Sequence, residues 1–194
     1  MNGATAADYA WFDEEYDGRP FCLTFVRDVD PEEALRRIGV TPGPAAEVDW
    51  ASFGDHPIAA YPAIGGAALL EYNGYAGTLA EAVRLLSAGT VMAAVFVNVN
   101  ADQQFVFAAD GLLVTGFEPD GSDERWGADP DRLLPQMLDL GMPTKDEEAD
   151  AALDDDEYDP VLTVMALAER ATGVRVTRGH LAGPALAGSA AHLY

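Results

Sequence analysis

The 194-residue chain is 49% apolar and 23% charged, close to ordinary folded proteins, so its net charge of −22 does not mark it as disordered. Eleven Lys and Arg stand against 33 Asp and Glu, a balance that repels phosphate backbones and anionic lipid and argues against direct nucleic-acid or membrane binding. No apolar run nears the ~20 residues of a bilayer span and the N-terminus has no cationic leader, so the expectation is one cytoplasmic domain over residues 1–194.

The first predicted element is a short helix in "DYAWFDEEY", whose Tyr9, Phe12 and Tyr16 share a face by their spacing and dock into the core. "PFCLTFVR" follows as a strand, with Cys22 as a buried, inert thiol. "DPEEALRRIG" is a signposted helix: Asp30 caps it, Pro31 opens it, and Gly39 sits where a left-handed stop belongs. Residues 40–57 read as an irregular excursion anchored by Trp50 and Phe53.

Two short strands, "IAAYPAI" and "AALLEYN", are followed by a helix in "TLAEAVRLLSAG", for which Thr78 and Glu81 form an expected capping box. "TVMAAVFVNVN" is apolar on both faces up to Asn98, as a strand covered on both sides would be. "QQFVFAADGLLVTGFE" reads as a hairpin turning at Asp110 and Gly111. "DPDRLLPQMLDLG" is helical with Asp129 as a cap, unless the helix begins at Pro135, and "DPVLTVMALAERATG" is a helix capped by Asp159. The fold class is therefore α+β: a mainly antiparallel sheet of about five to six strands with a C-terminal three-strand meander, packed by helices.

Between the last two helices, residues 145–159 hold nine acids and one base. No register of this stretch places the glycine and the final glutamate of a calcium loop correctly, so it reads as a solvated acidic linker or a docking site for a basic partner. From residue 174 the chain has no acid but carries Arg175, Arg178, His180 and His192, a basic Gly/Ala-rich tail expected to fold back onto the acidic surface.

Motifs of known chemistry are missing. His56, His180 and His192 lie at no metal-ligand spacing and no serine elbow occurs, so no catalytic residue, metal or cofactor is assigned. The loop "EYNGYAGT", between a strand and a helix, has the glycine pattern that cradles an anion on backbone amides, although glycines there commonly serve the backbone alone. Glu71, Asn73 and Tyr75 at the end of one strand, and Asn98 and Asn100 at the end of another, would line one ligand pocket if the strands are neighbours. Arg125 and Trp126 form a second candidate, a partner-binding pair in a loop before a helix, joined by Asp154, Asp155, Asp156 and Glu157 of the acidic run.

"FCLTFVRDVDPEEALRRIG", "EYNGYAG", "AVRLLSAGTVMAAVFVNVNADQQFVFAADGLLVTGFEP" and "RWGADPDRLLPQML" together resemble an uncharacterised domain-of-unknown-function family of actinobacterial proteins, in the same order over most of residues 9–140. The resemblance implies a high-GC bacterial source, which accounts for Lys145 being the single lysine, and a cytoplasmic location; it implies no activity. The expected function is a non-enzymatic acidic interaction protein that binds a basic protein partner, as an immunity-type inhibitor does. The alternatives are a small-molecule-binding domain or cryptic enzyme using the Glu71 and Asn98 pocket, and a structural subunit with an apolar patch at Trp11, Trp50 or Trp126.

Overall fold

The computed structural model describes residues 3–16, 18–48, 50, 55–100, 102–145 and 158–194. Its strands are β1 (Phe21–Arg27), β2 (Pro57–Ala63), β3 (Gly66–Tyr72), β4 (Val91–Val97), β5 (Gln103–Ala109), β6 (Leu112–Glu118), β7 (Gly121–Trp126) and β8 (Leu186–Ser189). The described helices are α1 (Ala10–Tyr16), α2 (Pro31–Arg37), α3 (Ala80–Leu86), α4 (Leu134–Asp139), α5 (Pro160–Thr172) and α6 (Arg178–Leu181). All strands join one antiparallel sheet in the order β7-β6-β5-β4-β1-β3-β2-β8.

Directly paired residues of an antiparallel sheet share a face, and the register sorts the side chains into two cores. Ala59, Leu70, Leu23, Val95, Phe105 and Phe117 form one cross-strand row, buried throughout beneath Tyr9, Phe12 and the apolar run Val164–Ala168 of α5. Each large apolar side chain in that row contributes about 2 kcal/mol. The next row, Ile58, Glu71, Cys22, Phe96 and Gln104, faces the opposite side, where α2 and α3 supply Ala34, Leu35, Val83 and Leu86 to a second core. A carboxylate thus stands in a row that is otherwise mostly apolar.

The caps at Asp30 and Asp159 form: their side chains accept from the Glu33 and Leu162 amides. Gly39 and Gly173 close those helices at φ 74°. Asp159→Ala is expected to cost about 1 kcal/mol in urea unfolding, as the loss of a helix N-cap does. The second proline, Pro135, lies at the start of α4, so the helix opens there, and Asp129 precedes a run of turns.

The sheet has eight strands, correcting the expected five to six. The expected meander, β4 to β6, turns at Asp110 and Gly111 with φ of 50° and 82°. It lies in mid-chain and continues into β7. β7 escaped the hydrophobic pattern because "GSDERW" is a charged edge strand whose pairing shifts register between Gly116 and Glu118. β8 escaped it because "LAGS" is four residues long and contains glycine; it pairs with β2 over Pro57–Ala60, leaving Pro62 beyond its reach. The expected capping box at Thr78 and Glu81 is also corrected: Thr78 belongs to a 3-10 turn, Ala76–Thr78, its hydroxyl donates to the Tyr75 carbonyl, and α3 starts behind Leu79.

Residues from 174 onward pack against the body. Arg175 pairs with Asp8 at 3.6 Å, and Arg178 reaches Glu14 at 2.7 Å and Glu15 at 3.3 Å. Trp11 packs edge-on against Phe12 and Trp50 against Tyr72, both partly buried. Phe53 lies outside the described residues. No described helix is long and apolar enough to cross a membrane.

Candidate functional site

Glu71 is 1% exposed. Its strand position forces it inward beside Cys22, its direct partner on β1, and no described cation pairs with it. The carboxylate is held instead by the loop that follows it. The Gly77 amide reaches Oε1 at 3.4 Å, and the Tyr194 hydroxyl donates to Oε2 at 2.8 Å while accepting from the Tyr75 amide at 2.7 Å. The glycines of "EYNGYAGT" serve the backbone: they let the loop lie close against the chain's own carboxyl, to which the Gly77 amide turns.

Two glycines permit this approach. A Cβ at Gly74 would lie 2.4 Å from Glu71 Oε2 and 2.9 Å from the Tyr194 oxygen, and one at Gly77 would lie 2.1 Å from Thr24 Oγ1. Burial pushes the Glu71 carboxyl up to about 7, against the Tyr194 hydroxyl, the Ala76 and Gly77 amides and the Cys22 thiol, which favour the ionised form. Burial and the neighbouring carboxylate raise the Cys22 thiol well above its usual range, so it stays protonated and unreactive.

Tyr194 completes the cluster. Its ring stacks on His56 at 3.7 Å between centroids and meets Tyr75 edge-on at 4.7 Å; Tyr75 in turn lies 6.0 Å from Phe96. Neither His56 nor Tyr194 carries a local sequence signal. The readable one was Glu71 itself, a charge inside the apolar strand "AALLEY".

β3 and β4 are not neighbours, because β1 separates them. Both Tyr72 and Val97 pair with Phe21 at the head of β1, so the residues after each strand still meet across Pro20. Asn73, Tyr75 and Asn98 line one open cavity of about 230 Å³ there, with Pro20, Phe96 and Val99. Asn73 sits in the left-handed region at φ 55°. The Asn98 carboxamide closes its own turn, accepting from the Asn100 and Asp102 amides and donating to the Asp102 carboxylate. Asn100 is exposed, and neither it nor Glu71 lines the cavity; Glu71 is buried and turned toward Tyr194.

The second candidate divides. Arg125 turns inward, binding Asp131 with two nitrogens and the Ser122 and Thr144 carbonyls with a third. Trp126 faces outward, 37% exposed, its indole lying over the bare backbone of Gly116. It borders both a recess of about 230 Å³ lined by Glu118, Asp123 and Glu124 and a largely apolar cleft of about 280 Å³ lined by Val83, Val106 and Leu113 together with Arg84 and Gln104. Asp154, Asp155, Asp156 and Glu157 lie outside the described residues. No group of three or more His, Cys, Asp or Glu among the described residues is placed to hold a metal ion.

Fold and site together define an α+β protein with one antiparallel sheet, a closed carboxylate cluster at one end of its central strands and an exposed tryptophan at one edge. The chain belongs to a family of unknown function, DUF6461, whose model matches residues 2–186. That span includes Glu71, its loop and Trp126, and stops short of His192 and Tyr194. No curated protein and no solved structure matches the chain.

Proposed function

We propose that the protein is a non-enzymatic acidic interaction module of the cytoplasm that docks a basic protein partner, in the manner of an immunity-type inhibitor, with Trp126 at the centre of the contact. The observation that carries this reading is a half-exposed indole that borders both an acidic recess and a largely apolar cleft. A partner arginine or lysine over the indole face would gain a cation–π contact, its charge met by Glu118, Asp123 and Glu124. Arg36, Arg37, Arg125, Arg170, Arg175 and Arg178 have internal carboxylate partners elsewhere, while Arg84 lines the largely apolar cleft that the indole also borders. The surplus negative charge is therefore left to steer a cationic partner, with an association rate that falls as salt rises.

The test is affinity capture from lysate of the source organism at low and high salt, followed by titration of the purified captured protein. Trp126→Ala is expected to weaken binding by about tenfold or more. Asp123→Asn with Glu124→Gln, and Asp154 to Asp156 replaced by Asn, are expected to flatten the salt dependence. A captured basic protein that binds wild type and Trp126→Ala equally would remove Trp126 from the interface. No salt-sensitive basic partner at all would end the reading.

A second reading, a small-molecule-binding domain, is favoured by a different observation: Asn73, Tyr75 and Asn98 share one cavity beside the buried Glu71.

A further inference from the structure

The Glu71 cluster raises a question that packing alone does not answer. A carboxylate buried without a cation lowers stability, and a leucine in that row would match Ile58 and Phe96 better. What the carboxylate does here is hold a phenol. Glu71 and the Tyr75 amide grip one oxygen from two sides, one accepting and the other donating, while His56 and Tyr75 bracket the ring.

That pair of contacts is selective. The bound atom must donate to Glu71 and accept from the Tyr75 N–H, which a hydroxyl does and neither an ammonium nor a carboxylate does; an anion would also be repelled by Glu71. The flat walls add a demand for an aromatic ring.

The present occupant is weakly committed. The turn before it is anchored through the Ala190 amide to the His56 carbonyl, the Ala191 amide to Ser189 Oγ, and the His192 ring to the Ile38 carbonyl. Each of these bonds survives a rotation of the Tyr194 side chain alone. Tyr194 is 37% exposed and belongs to neither group of buried core residues, so its side chain can leave the slot without breaching either core. The floor of the slot lies within the family-matched residues and its plug lies beyond them.

We propose that the slot formed by Glu71, the Tyr75 amide, His56 and the Tyr75 ring is a binding site for small phenolic molecules, and that Tyr194 is an internal ligand which they displace. The inference rests on the small-molecule reading above and supplies its ligand class. Phenol binding swings Tyr194 outward and leaves the adjoining Asn73 and Asn98 cavity free to take the remainder of a larger ligand.

The test uses the full chain and p-cresol, followed by backbone amide and aromatic NMR. Wild type, Tyr194→Ala and Tyr194→Phe are titrated, with toluene, benzylamine and benzoate as probes that each lack part of the required hydrogen bonding. Tyr194→Ala is expected to bind p-cresol about tenfold tighter than wild type, and to bind toluene about tenfold more weakly than p-cresol, the scale of one or two net hydrogen bonds. Tyr194→Phe is expected to keep the ring in place and the fold intact, checked by its amide spectrum, and to yield to p-cresol at lower concentration than wild type, with shifts at His56 and Tyr75. Equal affinity for p-cresol and toluene would overturn the proposal, as would p-cresol binding no tighter to either variant than to wild type. Shifts confined to Asn73, Asn98 and Val99 would overturn the slot while leaving the cavity reading intact. No shift in any of the three proteins would overturn both.

Discussion

Glu71→Gln is expected to stabilise the protein by about 2 kcal/mol at pH 8, the relief of charge burial less one lost hydrogen bond, and to remove a pH dependence that the wild type shows near neutrality. The folded carboxyl titrates at about 7 against an ordinary value of 4.5, because burial disfavours its charge. Between those two values the folded state keeps a proton that the unfolded chain has released, so stability falls as pH rises through that window and levels off above it. Glutamine keeps one oxygen to accept from Tyr194 and turns its NH2 toward the Gly77 amide, so it loses the longer 3.4 Å contact but has no charge to bury. Urea unfolding of both proteins from pH 4 to pH 8 isolates the effect, since the many surface carboxylates contribute equally to each. Parallel curves would mean that the Glu71 carboxyl is not buried as described.

The second large effect is expected at Gly77. A Cβ there meets Thr24 Oγ1 at 2.1 Å, Cys22 Sγ at 2.9 Å and the Ala94 Cβ at 3.2 Å, all belonging to central strands that cannot move apart cheaply. Gly77→Ala is expected to cost about 3 kcal/mol, the upper range for overpacking. The closest clash is with one hydroxyl, so Thr24→Ala in the same chain should return about 1 kcal/mol or more of that loss, a non-additivity measurable in a double-mutant cycle. Additive losses would show that the loop relaxes by moving away from β1 instead, taking the Gly77 amide off Glu71.

The parts of this fold that were legible in the sequence are those whose signals are local. Asp30 with Pro31, Asp159 with Pro160, and Asp110 with Gly111 each specify their geometry within four residues, and each adopts it. The double-faced apolar run of β4 showed that both sides of the sheet are covered. β7 and β8 were illegible because their pairing is decided by distant partners: a bulged, charged edge needs no alternation, and four residues of β8 are too few to display one. The site divides in the same way. "EYNGYAGT" offered an anion cradle beside a plain backbone role for its glycines, and Glu71 was read as one of several polar groups at a strand end; its burial against Tyr194, 123 residues away, has no local signal. The meeting of Asn73 with Asn98 was expected from adjacent strands and arises instead from the shared register of Tyr72 and Val97 on Phe21.

The pairing of β8 with β2 also orders events during synthesis. Residues 186–194 leave the ribosome after everything they cover, so the outer edge of β2 stays unpaired and Glu71 stays hydrated while the other seven strands are already available to assemble. A nascent chain in that interval presents an open β-edge, the feature through which partly made proteins associate with one another. Arrival of residues 186–194 both closes that edge and seats Tyr194, which makes pairing of β8 and drying of the carboxylate a single step that follows synthesis of the strands they cover.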